Sequence, residues 1–294
     1  MLDHKEWKGN TGGKPWMQRF LVFWFRYVPL SIPYFCMAWI VPFYMVGNRT
    51  GYLSIYRYFR KRQKYSVLKS FWMVYLNHYR FGQIIIDRFA MYAGKSFRVT
   101  IEGQELFDAL DSQSEGFVIL SSHIGNYELA GYSLIPQNKS FNVLIYDGET
   151  QQVMKGRHLM FDEKKIQMIP VNSDMSHIFQ INRALSEGNI VSIPGDRVFG
   201  SSKTVPVHFL GDIAHFPKGP FAIAIQRSVG LLAVFVLKES CSSYRVIVKA
   251  VSQPEETNRM NHASTIAQLF AGHIEEILHQ YPEQWFNYYN FWKK

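Results

Sequence analysis

The chain has 294 residues with a formal net charge of +9, and 47% of its residues are hydrophobic and 16% aromatic. Its two cysteines, Cys36 and Cys241, are far apart, which excludes a disulfide framework and a cysteine-based zinc site. The charge predicts an anionic partner, but no Lys/Arg tract has the interleaved aromatics of a nucleic-acid module, so nucleic acid is not the expected partner.

The first feature along the chain is an apolar stretch at residues 20–46, FLVFWFRYVPLSIPYFCMAWIVPFYMV. From residue 27 onward it carries no charge, over a length that a bilayer-spanning helix requires. A single continuous helix is disfavoured by three prolines, Pro29, Pro33 and Pro42. Three interpretations stay open: a membrane span, an interfacial or re-entrant helical segment, and a helical hairpin buried in a core.

A basic segment follows, with no acidic residue between the apolar stretch and Asp87. Its cations are Arg49, Arg57, Arg60, Lys61, Arg62 and Lys64. Such a cluster beside an apolar segment indicates the cytoplasmic side and attraction to anionic lipid, and a solvated helix face is the alternative. We therefore expect residues 1–96 to form an N-terminal membrane-binding helical region.

From about residue 97, predicted strands alternate with predicted helices. The strands are FRVTIEG, GFVILSS, FNVLIY, QMIPV, NIVSIPG, LLAVFVLKES and YRVIVKAVS. The helices are NYELAGYSLI, QQVMKGRHLMFDEKK, DMSHIFQINRALSEG, part of HFPKGPFAIAIQRSVG, and ASTIAQLFAGHIEEILHQY. This alternation predicts an α/β domain over residues 97–294, with a mostly parallel mixed sheet flanked by helices and ligands at the carboxyl ends of the strands.

The segment HIGNYE places His123 just after a predicted strand and Glu128 five positions later. On one continuous helix this spacing rotates the second side chain by roughly 140°, so the two would not share a face. A strand–loop–helix turn at Gly125 would instead bring them together. A carboxylate on Nδ1 would fix the tautomer and leave Nε2 as a general base, and the positive end of the next helix would keep the imidazole neutral. A polar pair in a loop is the alternative, and neither a metal nor a cofactor is expected.

Four ordered blocks resemble the lysophospholipid acyltransferase superfamily, whose signature is H-x4-D or H-x4-E. They resemble most its branch of late (lauroyl/myristoyl) acyltransferases of lipid A biosynthesis, and the likeness is close over roughly residues 97–292. The blocks are HIGNYE, GNIVSIPGDRVFG, VPVHFLGDIAHFPKGPFAIAIQRSVGLLAVFV and the ending YPEQWFNYYNFWKK. Tyr288 to Asn290 lack the usual histidine and arginine, and Lys218 replaces a glutamate of glycerolipid members, which argues against glycerol-3-phosphate as acceptor.

The resemblance implies an acyltransferase, of the class transferring groups other than amino-acyl groups. It would move a fatty acyl group from a thioester, on acyl carrier protein or coenzyme A, to a hydroxyl of a membrane lipid or glycolipid. His123 would accept the hydroxyl proton and Glu128 would stabilise the imidazolium. No G-x-S-x-G elbow surrounds the serines before His123, so no acyl-serine is expected. The expected location is the bacterial inner membrane, with the catalytic domain on an anionic cytoplasmic surface.

Substrate-binding roles are predicted for five further residues: Arg157, Asp196, Arg197, Lys218 and Gly219. Arg157 matches a family arginine and would bind a phosphate or an oxyanion, with an exposed helix arginine as the alternative. Asp196 and Arg197 follow a strand, with an internal salt bridge as the alternative. Two other functional classes stay open: a catalytically inactive lipid-binding protein, and a thioester hydrolase that uses the same dyad.

Overall fold

The computed structural model describes residues 15–146, 166–171, 174–198, 203–251 and 259–292. Its first part is helical: α1 (Pro15–Tyr27), α2 (Ser31–Gly47), α3 (Arg49–Arg57) and α4 (Val67–Tyr92), with a π-helical turn at Tyr58–Arg62. The apolar stretch therefore forms two helices that separate at Pro29, where proline removes a helical hydrogen bond. Among the described helices, none combines the length and the apolar character that crossing a membrane requires.

The helix α4 begins where the Ser66 hydroxyl accepts a hydrogen bond from the amide of Lys69, at 3.4 Å. It packs against α2, and its buried polar side chains include Asn77 and Asp87. Asn77 donates to the carbonyls of Glu283 and Trp285 at 2.9 and 2.8 Å. The N-terminal helices are therefore joined to the end of the chain by buried hydrogen bonds.

Within the described residues, seven strands form the main sheet, in the order β1-β9-β8-β2-β5-β3-β4. They are β1 (Arg98–Glu102), β2 (Phe117–Ser121), β3 (Phe141–Tyr146), β4 (Ile166–Val171), β5 (Ile190–Pro194), β8 (Gly230–Lys238) and β9 (Ser243–Ala250). The strands from β8 to β4 run in one direction, while β9 is antiparallel to β8 and parallel to β1. This confirms the mostly parallel mixed sheet and all seven predicted strands.

Helices cover the sheet: α5 (Gln104–Asp111), α6 (Ala130–Ser133), α7 (Ser176–Ser186), α8 (Gly219–Arg227) and α9 (Arg259–Gln280). The helix predicted at NYELAGYSLI is shorter than expected: a 3-10 turn at Tyr127–Leu129 leads into the four-residue α6. Leu134 is already extended, and Pro136 disfavours helical backbone at the residue before it. The helix predicted at QQVMKGRHLMFDEKK lies outside the described residues.

The glycine-bearing segment of the third block is an antiparallel hairpin of β6 (Thr204–Phe209) and β7 (Asp212–Pro217). Leu210 and Gly211 both have positive φ, as a two-residue hairpin turn requires. The Phe209 ring packs edge-on against Trp285, which is fully buried.

Candidate active site

The site begins at the carboxyl ends of β2 and β5, which pair in parallel with Ser121 opposite Pro194. The amide of Gly195 donates to the carbonyl of Ser121 at 2.8 Å, so the two chains stay together beyond the strands. The next residues, His123 and Asp196, therefore emerge side by side. This is where an α/β sheet places a ligand.

His123 and Asp196 are joined by two hydrogen bonds. Oδ1 of Asp196 is 2.8 Å from Nδ1 of His123, and Oδ2 accepts from the backbone amide of His123 at 2.8 Å. The Asp196 side chain is 3% exposed and the His123 side chain 14%. Both carboxylate oxygens are thus committed to the histidine, which fixes its ring and its backbone together.

The hydrogen bond between the two side chains, together with the direction of their pKa shifts, assigns the tautomer of His123. Burial acts to raise the pKa of Asp196, but the charge and hydrogen bonds of His123, with the charge of Arg197, bring it below its ordinary value. Burial, and then the charge of Arg197, lower the pKa of His123 against the opposing effect of Asp196. An ionised carboxylate can only accept, so Nδ1 carries the proton and the lone pair lies on Nε2.

The carboxylate on Nδ1 is therefore not that of Glu128, and the pairing predicted from the H-x4-E spacing is corrected. Glu128 lies in the 3-10 turn, and its Oε1 is 2.8 Å from Nη2 of Arg88 on α4. The strand–loop–helix geometry that was expected to join Glu128 to His123 instead directs the two side chains to different partners. The positive end of the next helix was also expected to keep the imidazole neutral. That helix has only four residues, and burial and the charge of Arg197 are what lower the pKa of His123.

The loop between His123 and Glu128 is held by its backbone. Gly125 has a φ of +58°, and a β-carbon there would lie 1.8 Å from the Val236 carbonyl oxygen, so only glycine fits. Asn126 donates to that same carbonyl at 2.8 Å, and Gly125 donates to the carbonyl of Gln284 at 2.8 Å. The amide of Phe286 donates to the His123 carbonyl at 2.9 Å. The loop is therefore clamped between β8 and the PEQWF segment.

Arg197 lies beside the pair and faces the end of the chain. Its Nη2 donates to the carbonyl of Phe286 at 2.8 Å, and its guanidinium lies 5.3 Å from the centre of the Tyr289 ring. It is half-buried, and its charge affects the pKa of both His123 and Asp196. The structure thus brings Arg197 to the site.

The other predicted residues have different positions. Lys218 and Gly219 are exposed at the start of α8, and within the described part of the chain no contact joins them to His123 or Asp196. Arg157 lies outside the described residues. Cys36 and Cys241 are free thiols, and the described residues contain no group of three or more side chains that could hold a metal.

Two residues of the site were missed by sequence reasoning. Gln284 holds β8 through both backbone groups of Lys238, at 2.8 and 2.9 Å, while its carbonyl holds Gly125. The sequence feature that could have indicated Gln284 is the PEQ motif in the final family block. Arg88 had a weaker signal, since it and the adjacent Asp87 are two charged residues within a largely apolar run near the end of α4.

Comparison with known proteins gives one family match. The model of the bacterial lipid A biosynthesis acyltransferases matches residues 80–294, a range that begins inside α4 and includes the whole site described above. No curated protein matches the sequence. The family match supports acyl transfer to a lipid acceptor as the class of activity.

Proposed function

Because the chain belongs to the bacterial lipid A biosynthesis acyltransferase family, we propose that it is a membrane-associated O-acyltransferase with His123 as its general base. It moves a fatty acyl group from an acyl thioester, on acyl carrier protein or coenzyme A, to a hydroxyl of a lipid or glycolipid. The observation that carries this proposal is the His123–Asp196 pair at the ends of β2 and β5. A neutral imidazole with its lone pair on Nε2 is the form that accepts a proton.

The proposed reaction is a direct transfer. Nε2 of His123 takes the proton of the acceptor hydroxyl while the hydroxyl oxygen attacks the thioester carbonyl carbon. The tetrahedral intermediate collapses, the carbon–sulfur bond breaks, and the thiolate takes the proton from the imidazolium. Asp196 keeps the ring in the correct tautomer and offsets the positive charge that forms on it.

The remaining site residues are given roles in binding the substrates or in supporting catalysis. Arg197, beside His123, supplies a positive charge for the thioester oxyanion or for an anionic part of a substrate. Lys218 and Gly219 remain proposed substrate-binding residues on their position in the third family block, and Arg157 remains one on its match to a family arginine. Glu128 is retained as a residue required for catalysis, in a role other than orienting Nδ1.

Membrane association is proposed from the surface of the N-terminal helices. Large apolar side chains recur every three or four residues along α1 and α2, so each helix presents one apolar face. At least 48% of each of these side chains is exposed: Trp16, Phe20, Phe23, Tyr27, Ile32, Phe35, Trp39 and Phe43. We call this set the aromatic face. Exposed cations follow at Arg49, Arg57, Arg60, Lys61 and Lys64, which suits an anionic inner membrane with the catalytic domain on its cytoplasmic side.

The proposal is tested by incubating the purified enzyme with a radiolabelled acyl thioester, with and without a lipid extract that contains hydroxylated acceptors. We expect a labelled lipid whose mass has increased by one acyl chain, formed only when the extract is present. Free fatty acid released equally fast without acceptor would identify a hydrolase. No consumption of thioester under either condition would identify a lipid-binding protein.

A further inference from the structure

The ion pair between Arg88 and Glu128 joins α4 to the loop that carries His123. Its two charged groups are 2.8 Å apart, and the side chains are 15% and 6% exposed, so little water reaches them. Glu128 lies directly beyond the segment whose backbone is clamped by Val236 and Gln284. The pair therefore fixes the far end of a loop whose near end is His123.

The backbone of Arg88 is itself fixed by its neighbour. Asp87 forms a fully buried ion pair with Lys238 at the end of β8, and it also accepts hydrogen bonds from Tyr34 and Tyr244. Lys238 lies two residues beyond Val236, whose carbonyl binds Asn126. Contacts thus run in a closed ring from α4 to β8, from β8 to the loop, and from the loop through Glu128 back to α4.

We propose that Arg88 is a positioning residue of the active site, which holds the Glu128 carboxylate and thereby sets where Nε2 of His123 meets the acceptor hydroxyl. This inference rests on the proposed function. A buried carboxylate is stabilised by an opposite charge, so loss of Arg88 favours movement of the Glu128 side chain or its protonation. Either response shifts the loop, and a displacement of about 1 Å at a reacting group costs on the order of a hundredfold in rate.

The test compares Arg88→Met, Arg88→Lys, Glu128→Gln and the double variant Arg88→Met/Glu128→Gln. Arg183→Met is the matched control, since Arg183 forms an exposed pair with Glu187 at 2.7 Å on α7. We expect Arg88→Met to lose on the order of a hundredfold in kcat with a much smaller change in KM, because positioning acts on the reacting groups. Arg88→Lys, which keeps the charge, should recover most of the loss. The double variant should be no slower than the slower single variant, and Arg183→Met should match the wild type.

A second measurement does not depend on turnover. The rate at which diethyl pyrocarbonate modifies His123, followed by peptide mass spectrometry, reports on the environment of its ring. We expect that rate to change in Arg88→Met and not in Arg183→Met, while the rate at the exposed His208 stays constant in both. The modification measurement tests the role of Arg88 even if the wild type shows no acyl transfer.

Three outcomes would overturn the inference. One is an Arg88→Met enzyme with wild-type kcat and an unchanged His123 modification rate. Another is multiplication of the two single effects in the double variant, since independent residues are not a pair. The third is an Arg88→Lys enzyme that is as slow as Arg88→Met and whose melting temperature is lowered by the same amount. That result would show that Arg88 has a purely structural role.

Discussion

At the scale of the residue, the reactivity of His123 depends on opposing charges on its two sides. Asp196 favours the imidazolium, while burial and Arg197 disfavour it, and the pKa ends below its ordinary value. The ring therefore stays neutral down to a lower pH than a solvated histidine. In the proposed mechanism, Asp196 orients the ring and offsets the charge that forms as the proton is transferred.

The pH dependence of kcat/KM tests this balance. Only neutral His123 accepts a proton, so activity falls as pH drops through its pKa, and we expect this acid limb below pH 6.5, the ordinary value. Arg197→Met removes a positive charge, which raises the His123 pKa and moves the limb to higher pH. Asp196→Asn removes a negative charge, which moves the limb to lower pH, and it should lower kcat about a hundredfold or more because the amide disturbs the tautomer.

Arg183→Met is the control for these profiles, since that residue is exposed near the end of α7, the helix that precedes the start of β5. A limb that does not move in either site variant would show that the titrating group is not His123. A limb that moves in the same direction in both variants would contradict the assigned charges.

At the scale of the element, the site is assembled from β2, β5, β8 and α4 rather than from a single motif. The strands were recognised as short apolar runs, and their mostly parallel direction was predicted from the alternation of strands and helices. The candidate residues His123, Asp196 and Arg197 were found because they follow strands. Their pairing was not predictable, since His123 and Asp196 are 73 residues apart and meet only through the register of β2 and β5.

Unfolding measurements test the junction between α4 and β8. Asp87→Asn leaves the Lys238 ammonium fully buried without its counter-charge, and we expect a loss of about 3–5 kcal/mol in the free energy of unfolding. Burial already lowers the pKa of Lys238 and raises that of Asp87, so the pair depends on mutual contact. The double variant Asp87→Leu/Lys238→Met should recover much of this stability, because no buried charge remains.

The control for this junction is Lys249→Met, which breaks a partly exposed pair with Glu276 and should change the free energy of unfolding by less than about 1 kcal/mol. Chemical denaturation in detergent, followed by tryptophan fluorescence, gives these values. Equal stability of Asp87→Asn and the wild type would contradict a buried, mutually dependent pair.

At the scale of the whole molecule, the N-terminal helical part carries both the exposed aromatic face and the exposed cations that follow it in the chain. The apolar stretch and the basic segment after it were read directly from the sequence. Of the three prolines, Pro29 lies at the break between α1 and α2, whereas Pro33 and Pro42 lie within α2. Sequence did not reveal that α4, assigned to the N-terminal region, supplies Arg88 and Asp87 to the α/β part. A boundary at residue 96 therefore divides elements that share buried ion pairs.

Vesicle sedimentation tests the aromatic face. Burying one large aromatic side chain contributes about 1.5–3 kcal/mol, so Trp39→Ser/Phe43→Ser should weaken partition onto vesicles that contain phosphatidylglycerol by about tenfold or more. Phe179→Ser is the control, because that phenylalanine is 78% exposed on α7, outside the aromatic face. Equal losses for the two variants would contradict a membrane contact through α1 and α2.

The central claim is that His123 acts directly as the base of an acyl transfer, and single-turnover kinetics test it most directly. The wild type and His123→Ala are mixed with labelled acyl thioester and lipid acceptor, quenched at intervals, and analysed for acyl-lipid and for acylated protein. We expect a folded His123→Ala enzyme that forms acyl-lipid about 10²–10⁴-fold more slowly, and no acylated protein in the wild type at any time. A near-normal rate for His123→Ala, or a stoichiometric acyl-enzyme in the wild type, would contradict the claim.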